Sequence, residues 1–347
     1  MKIFERFTKP VAVDLGTSNT RVYLKGRGVV VAEPTIIAVN AKSGQILTIG
    51  NEARKMLDRT PQHIRVVKPV QGGVVSDFEM SEEIMRHHLR ELDESIVRRY
   101  GLAVLGIPSD LTEVERKSAE DVLLSAGASR VYLVESAIAA AIGARLPVAE
   151  PTASMVVNLG GGTTEIAVVS VGGAVASKSL KVAGDRMNED IVKFVREEFK
   201  LAIGEPTAEE IKVSVGSAVP MDEKMEIVIR GRDLGTGLPR EVTVKNPQVR
   251  LAISRSLKTI ADAARSLIES SPPELVGDIL ERGIFVCGGG SLLRGFDRYM
   301  EKEISVKTTL IEDPMSATIR GLATIVDQYP VYEKLLESQV RSRDIKM

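Results

Sequence analysis

The fold is decided by two stretches that share one pattern, VAVDLGTSNT at residues 11–20 and MVVNLGGGTT at residues 155–164. In each, an apolar run predicts a buried strand, and the small polar residues after it predict a tight turn into a second strand. A glycine turn and a third apolar run follow in both copies, at residues 26–32 and 171–182. The copies lie much farther apart than the about 20–50 residues of a solenoid repeat, so the sequence predicts two similarly built domains.

Helical patterns lie between and after these hairpins. Residues 81–99 carry an apolar stripe at helical spacing, and Thr112 and Thr207 each stand three residues before a glutamate, the spacing of a capping box. A short apolar strand followed by three glycines occupies residues 284–290, and a last helix is expected from Asp313-Pro314 to about Asp327. Because strands precede helices in both halves, the predicted fold class is α/β.

The composition is that of an ordinary globular chain, with 44% hydrophobic and 27% charged residues among 347. Lys and Arg number 46 against 47 Asp and Glu, and this balance argues against a nucleic-acid partner. The single cysteine, Cys287, rules out an intrachain disulfide and a Cys-rich zinc site. Apolar runs fall well short of the about 20 residues of a membrane span. Glu5, Arg6 and Lys9 interrupt any signal-peptide core, so a cytoplasmic location is expected.

The two polar turns are candidates for binding a phosphate chain. Glycine lets the backbone approach a ligand closely, and successive N–H groups form an anion-binding nest. Two such turns facing each other would clamp a polyphosphate, and Asp14, at the end of a strand, could hold a hydrated Mg²⁺ above it. Either turn alone is equally compatible with an ordinary β-turn. The matched pair, together with Gly288–Gly290, favours the clamp, although neither turn has the spacing of a P-loop or a dinucleotide fingerprint.

These motifs resemble those of the actin, hexokinase and Hsp70 ATPase superfamily, and most closely those of the MreB bacterial actins. The resemblance rests on both turns, on AAAIGA at residues 139–144 and on ERGIFVCGGGSLL at residues 281–293, and it covers nearly the whole chain. It implies an actin-like α/β fold in which two ribonuclease-H-like domains enclose a nucleotide cleft. The implied division is residues 1–32, 75–144 and 320–347 for domain IA, 33–74 for IB, 145–183 and 250–319 for IIA, and 184–249 for IIB.

The same resemblance implies ATP and Mg²⁺ as ligands, with Asp14 holding the metal through water. Glu209 and Lys212 match the ribose and adenine contacts, and their i, i+3 spacing puts them on one helix face. Without the other motifs, an ordinary surface ion pair is the alternative reading of the same two residues. The implied phosphate contacts are Gly16, Thr17, Ser18, Asn19, Gly160, Gly161, Gly162 and Thr163, with Gly184 nearby, and the implied adenosine contacts are completed by Gly288, Gly289, Gly290 and Ser291.

Two departures from the family pattern concern hydrolysis. The family's second turn begins with aspartate, where this chain has Asn158, and an amide brings no negative charge to the metal or water. The glutamate that positions the attacking water is replaced by Ser136, with Glu135 one residue away on a different helix face. Because phosphoryl transfer depends on positioned charge and water, we expect hydrolysis to be weak or absent while binding persists. The alternative is that Glu135 shifts in register and hydrolysis survives.

The N-terminus places Ile3, Phe4 and Phe7 at helical spacing among cationic residues, which suits an anionic membrane surface. So short a segment would bind weakly as one copy and by avidity in a filament. The alternative is an arm that packs on the body of the protein. A second membrane candidate is the apolar stretch at residues 100–105, which reads equally well as a buried strand.

The leading functional hypothesis is therefore a cytoskeletal one. An ATP-binding actin-like protein would self-associate into membrane-associated filaments at the inner face of the cell membrane. As the resemblance implies, these filaments would determine cell shape by organising cell-wall synthesis during elongation, with the elongation machinery and its membrane-anchored adaptors as partners. The alternatives are a sugar kinase, for which the chain offers no clear sugar motif, a chaperone ATPase of the Hsp70 type, for which no peptide-binding domain follows the last helix, and a nucleotide-binding scaffold without turnover.

Overall fold

The computed structural model describes residues 10–92, 100–221, 224–333 and 336. Strands and helices alternate along them, as expected for an α/β protein. The strands are β1 Val11–Leu15, β2 Asn19–Leu24, β3 Gly28–Pro34, β4 Ile37–Asn40, β5 Ile46–Ile49, β6 Ile64–Val67, β7 Val70–Gln71, β8 Val74–Val75, β9 Ala103–Ile107, β10 Val131–Glu135, β11 Ser154–Leu159, β12 Thr164–Ser170, β13 Gly173–Leu180, β14 Leu201–Ala202, β15 Glu226–Asp233, β16 Pro239–Lys245, β17 Ile284–Cys287 and β18 Thr308–Leu310. The α-helices are α1 Asn51–Lys55, α2 Phe78–Leu92, α3 Glu113–Ser125, α4 Ser136–Gly143, α5 Gly184–Phe199, α6 Glu205–Val215, α7 Asn246–Glu269, α8 Pro273–Arg282, α9 Phe296–Ile304 and α10 Ala317–Asp327.

Two five-stranded sheets of the same construction form the body of the molecule. In the first, β1, β2 and β3 make an antiparallel meander, and β9 and β10 extend it in parallel beside β1. In the second, β11, β12 and β13 make the meander, and β17 and β18 extend it in parallel beside β11. The predicted internal repeat is confirmed, and the two quoted stretches begin as the matching strands β1 and β11.

Helices α4 and α10 join the two halves. Their apolar side chains share one core with residues of β1, β9, β11 and β12. The helices cross so closely that a Cβ added at Gly143 would lie 1.9 Å from the Ala317 carbonyl oxygen, and one added at Gly321 would lie 1.7 Å from that of Ala139. Larger side chains at this crossing would push the helices apart, so the small residues fix how closely the two sheets approach.

The two-stranded pair β7–β8 and two three-stranded antiparallel sheets complete the fold. One has the order β5-β4-β6 and packs with α1, and the other has the order β14-β15-β16 and packs with α5, α6 and α7 in the largest core cluster. Each small sheet thus follows one of the two meanders along the chain. The four-part division stated above stays a prediction.

The two predicted capping boxes have different outcomes. At α3, the Glu115 N–H donates to the Thr112 hydroxyl at 3.3 Å, and the Thr112 N–H donates to the Glu115 carboxylate at 2.8 Å. The box expected at Thr207 is wrong, because α6 begins two residues earlier, at Glu205, with Pro206 in its first turn. A proline preset for the helical φ angle decides this start more strongly than the threonine–glutamate spacing.

The two membrane candidates lie in different parts of the chain. Ile3, Phe4 and Phe7 fall outside the described residues. The stretch at residues 100–105 is internal, since Tyr100 is 3% exposed and the residues from Ala103 onward form β9, a buried strand between β10 and β1, so the reading as a membrane-binding loop is wrong. Within the described ranges, no helix combines the length and the apolar character needed to cross a bilayer.

Candidate functional site

The two glycine-rich turns meet face to face. The first glycine of each turn, Gly16 or Gly160, donates its N–H to the carbonyl oxygen three residues on, at 3.1 Å and 2.9 Å. Across the gap, a Cβ added at Gly161 would lie 1.9 Å from the Ser18 hydroxyl oxygen. A side chain at Gly161 would therefore collide with the opposite turn, and glycine allows the two backbones to form facing walls.

A cleft of about 610 Å³ opens between these walls. Most of the predicted site residues line it, so the structure brings together groups from both sequence halves. Glu135 and Ser291 are predicted site residues that do not line it. Those that do are Asp14, Gly16, Thr17, Ser18, Asn19, Ser136, Asn158, Gly160, Gly161, Gly162, Thr163, Gly184, Glu209, Lys212, Gly288, Gly289 and Gly290.

The charged pair on α6 is built into the cleft wall. The Lys212 ammonium donates to the Gly184 carbonyl oxygen at 2.9 Å and to the Glu209 carboxylate at 2.8 Å. The same carboxylate oxygen accepts a bond from the Asn188 amide at 2.7 Å. Burial opposes ionisation of Glu209, but the Lys212 charge and these hydrogen bonds outweigh it and lower its pKa. The pair is thus a fixed, ionised element of the cleft wall.

The third glycine run follows β17 and opens a short 3-10 turn at Gly289–Leu292. Ser291 within it is 3% exposed, and its hydroxyl donates to the Gly288 carbonyl oxygen at 2.6 Å. Ser291 therefore stabilises the turn from its buried side, while Gly288, Gly289 and Gly290 present backbone to the cleft.

The two cleft positions associated with hydrolysis, Ser136 and Asn158, are not acids. Ser136 begins α4 and lines the cleft, and the Asn158 amide donates to the Thr318 hydroxyl at 3.2 Å. Glu135 ends β10 outside the cleft lining, and among the described residues its Oε2 atom is buried without a hydrogen-bond partner. Burial raises the pKa of Glu135, against opposing effects of the Arg116 charge and a hydrogen bond with Ser177. In this geometry, Glu135 does not replace the missing cleft acid.

Sequence reasoning missed several charged residues of the cleft, and two of them, Arg21 and Glu165, lie on the hairpins. Arg21 is the cross-strand partner of Asp14, and its Nη1 lies 3.8 Å from the Asp14 carboxylate. Glu165 is the corresponding partner of Asn158 in the second hairpin. The signal was available, because a residue opposite a strand end in an antiparallel hairpin shares its face of the sheet. Burial raises the pKa of Asp14, and the Arg21 charge opposes this rise.

The Glu165 carboxylate is fully engaged within the protein. It is 2% exposed and accepts hydrogen bonds from the Ser109 N–H at 3.2 Å, the Ser109 hydroxyl at 3.3 Å and the Ser179 hydroxyl at 2.8 Å. Burial raises its pKa, and the hydrogen bonds from Ser179 and Ser109 oppose the rise. Its bonds connect the second hairpin to the loop after β9, so Glu165 serves to hold the two halves together.

A further ion pair crosses the cleft at its other end. Lys68, which follows β6, pairs with Glu205 at the start of α6. Asp185, in the first turn of α5, lies near both charges and also lines the cleft. Burial, with a smaller contribution from Glu205 and against the Lys68 charge, raises the pKa of Asp185 to about 6.

The cleft residues near the turns do not fit a magnesium ion held by carboxylates. Mg²⁺ in nucleotide sites takes one or two carboxylates besides phosphate oxygens and waters. Here Asp14 faces the guanidinium of Arg21, Asn158 supplies an amide and Ser136 a hydroxyl. With Glu165 committed to serines, the donor set leaves one carboxylate, and a permanent cation already lies beside it.

Comparison with known sequences now places the chain. A sequence model of the MreB/Mbl protein family matches residues 8–334. The chain belongs to the MreB/Mbl family. The cell shape-determining protein Mbl of Bacillus subtilis (strain 168) is 39% identical over 321 residues, which are 92% of this chain and 96% of that protein. The cell shape-determining protein MreB of Escherichia coli (strain K12) is 41% identical over 320 residues, 91% of this chain and 92% of that protein.

Solved structures agree with this membership. MreB5 of Spiroplasma citri bound to ADP superposes on this MreB/Mbl family chain with a TM-score of 0.88 and 34% identity, covering 96% of this chain and 99% of that one. The AMPPNP-bound form gives the same TM-score over 97% and 99%. The MamK double helical filament matches at 20% identity with a TM-score of 0.80, over 92% of this chain and 99% of that one. The MamK match speaks for the fold alone, and the expected actin-like fold is confirmed.

Proposed function

We propose that this MreB/Mbl family chain binds ATP in the cleft between its two sheets. The observation that carries the proposal is the pair of glycine turns, which approach so closely that Gly161 has no room for a side chain. Their N–H groups and hydroxyls offer hydrogen-bond donors to a polyphosphate from both sides. The related MreB5 of Spiroplasma citri has been solved with ADP and with AMPPNP, which supports an adenine nucleotide as the ligand.

In this proposal the residues take the roles that the family resemblance implies, and their place in one cleft supports those roles. Residues 16–19 and 160–163 hold the phosphates, with Gly184 between them and the adenosine side. Glu209 and Lys212 contact the ribose and adenine, and residues 288–290 present backbone to the rest of the adenosine. Ser291 stabilises that turn instead of contacting the nucleotide.

The chain also self-associates into filaments in this proposal, and the filaments determine cell shape by organising cell-wall synthesis. The family relatives in Bacillus subtilis and Escherichia coli are named as cell shape-determining proteins, which supports this role. The partners are further copies of the chain and the membrane-anchored elongation machinery. Because the cleft carries Ser136 and Asn158, the filaments hydrolyse ATP slowly or not at all.

Membrane association at the inner face of the cell membrane is proposed through Ile3, Phe4 and Phe7. Three apolar side chains among cations favour an anionic membrane surface. One copy would bind the membrane weakly, and a filament that carries many copies would bind it tightly through avidity. With the stretch at residues 100–105 buried in the first sheet, the N-terminus is the candidate that remains.

The test is electron microscopy of the purified protein with ATP on anionic lipid, combined with titration of a fluorescent ATP analogue. Filaments on lipid and saturable nucleotide binding are the expected results. A protein that binds nucleotide but stays monomeric, and that phosphorylates a sugar or stimulates peptide release, would place it with the enzymes or chaperones of the superfamily.

A further inference from the structure

The phosphate end of the cleft contains a guanidinium that the protein supplies itself. Arg21 lies opposite Asp14 in the register of β1 and β2, and both side chains line the cleft. The Arg21 side chain is 15% exposed and that of Asp14 is 18% exposed, and Nη1 lies 3.8 Å from Oδ2. The charge of Arg21 is thus held in a partly desolvated position directly beside the first glycine turn, where charge interactions are stronger than in water.

The second hairpin supplies no unengaged carboxylate near this cation. Its position equivalent to Asp14 is the neutral Asn158, whose amide donates to Thr318. Its position equivalent to Arg21 is Glu165, whose carboxylate accepts bonds from two serines. Near the turns, the Asp14 carboxylate faces one guanidinium and the Glu165 carboxylate is held by serine donors, so neither offers an unshared carboxylate to a divalent cation.

The other cations that line the cleft act elsewhere: Arg294 donates to the carbonyl oxygens of Val213 and Gly216, and the charge of Arg54 acts on Glu209. Lys212 is bonded to Glu209 and to the Gly184 carbonyl oxygen, and Lys68 pairs with Glu205. A guanidinium offers five N–H donors in a planar fork that matches phosphate oxygens, and it stays charged at any physiological pH. Arg21 is thus placed and equipped to neutralise phosphate charge.

We propose that Arg21 takes the place of the divalent cation, so that this cleft binds the polyphosphate of its nucleotide without a metal ion. The proposal rests on the proposed nucleotide function and refines it. Asp14 then orients the guanidinium through their ion pair, and its predicted role as a water-mediated metal ligand is set aside. A merely structural Arg21–Asp14 pair would affect the stability of the hairpin and leave the metal dependence of binding unchanged.

The experiment is a titration of the full-length protein with a fluorescent ATP analogue, once with excess Mg²⁺ and once with EDTA. For the wild type we expect Kd values within about threefold of each other. In Arg21→Leu, binding in EDTA should weaken by about tenfold or more, and Mg²⁺ should restore most of it, because Asp14 is then free of its cation. Arg21→Lys keeps the charge and should keep binding in EDTA.

The matched control is Arg230→Gln, which removes one positive charge from an exposed strand outside the cleft. It should behave as wild type in both conditions. Thermal unfolding of each variant checks that the hairpin is intact, and if Arg21→Leu fails to fold, Arg21→Gln removes the same charge with a polar side chain and decides the question.

The outcomes separate the two proposals. Wild-type binding that requires Mg²⁺ would leave the nucleotide function standing and overturn the role of Arg21. Equal metal independence in wild type and Arg21→Leu would also overturn it, because another group would then neutralise the phosphates. Absence of binding in both conditions would overturn the nucleotide function and, with it, the refinement.

Discussion

The side-chain amide of Asn158 donates a hydrogen bond to the hydroxyl of Thr318 across 3.2 Å. This bond ties the end of β11 to the first turn of α10, at the floor of the cleft. An ionised aspartate has no donor, so with aspartate at position 158 the threonine would have to donate instead. Asn158 thus connects the second hairpin to the helix pair that joins the two halves, at the position where the family resemblance places an acid.

The facing turns give the first prediction. Gly161→Val should weaken binding of a fluorescent ATP analogue by about tenfold or more, because the new Cβ would collide with Ser18 and spread the walls. Gly277→Ala is the control, since nothing lies within 4 Å of the added Cβ on α8. Alanine in that helix should stabilise the protein by about 0.5–1 kcal/mol. Undiminished affinity in Gly161→Val would mean that the turns do not clamp the ligand.

The second prediction concerns the adenosine side. Lys212→Ala removes the bonds to Gly184 and Glu209 and leaves the Glu209 carboxylate without its cation. Affinity for ATP should fall by about tenfold, whereas Lys193→Ala, an exposed site on α5, should change little. Competition with inorganic triphosphate shows whether the lost affinity belongs to the phosphates or to the adenosine. If triphosphate affinity falls as far as ATP affinity, Lys212 acts on the phosphates and not on the adenosine.

The membrane hypothesis is tested by replacing Ile3, Phe4 and Phe7 with serine. Each CH₂ group buried in the interface contributes about 0.8 kcal/mol, so the variant should no longer sediment with anionic liposomes. The same protein should still bind nucleotide, because the cleft is formed by other residues. Full sedimentation of the triple variant would assign membrane binding to another surface.

Asp185 predicts a pH dependence of stability. Its pKa is raised to about 6, whereas an aspartyl carboxyl in an unfolded chain titrates near pH 4. The folded state therefore holds this proton more tightly. The stabilisation is complete below about pH 4 and is lost as the pH rises through about 6.

Asp185→Asn mimics the neutral form. Its free energy of unfolding should exceed that of the wild type by roughly 1–2 kcal/mol above pH 6, and the two should converge below pH 4. Urea unfolding across this range measures the difference, with Asp110→Asn, an exposed aspartate, as the control. A difference that does not vary with pH would show that folding does not raise the pKa of Asp185.

Local sequence patterns predicted the parts of the fold that depend on local chemistry. The alternation of apolar runs and glycine turns located both meanders, and α10 ends at Asp327 as expected. Its start differs, because Asp313 takes a left-handed conformation with φ 46° and leads a 3-10 turn at Pro314–Ser316 before the helix begins at Ala317. This start depends on how the segment packs against the glycine turn at Gly288, whose N–H donates to the Pro314 carbonyl oxygen. The spacing of residues along the chain does not reveal such a contact.

For the site, too, the sequence predicted the residues that form local motifs and missed those whose role depends on contacts between distant segments. The glycines and the Glu209–Lys212 pair were visible as motifs, and the structure brings them to one cleft. Arg21 was missed because its importance comes from hairpin register, which puts it opposite Asp14. The direction of Ser291, whose hydroxyl turns inward to Gly288, was likewise decided by three-dimensional contacts.

The last prediction concerns turnover. Ser136 and Asn158 line the cleft where the family resemblance places two acids, and Glu135 is not among the residues that line it. Ser136→Glu combined with Asn158→Asp should raise single-turnover phosphate release by about tenfold or more, by supplying charge and a positioned water. The two changes flank one site, so their effects should not add independently, and both single variants belong in the experiment. Wild-type release already as fast as that of the double variant would show that another residue positions the water, and the view of a degenerate hydrolytic site would have to be given up.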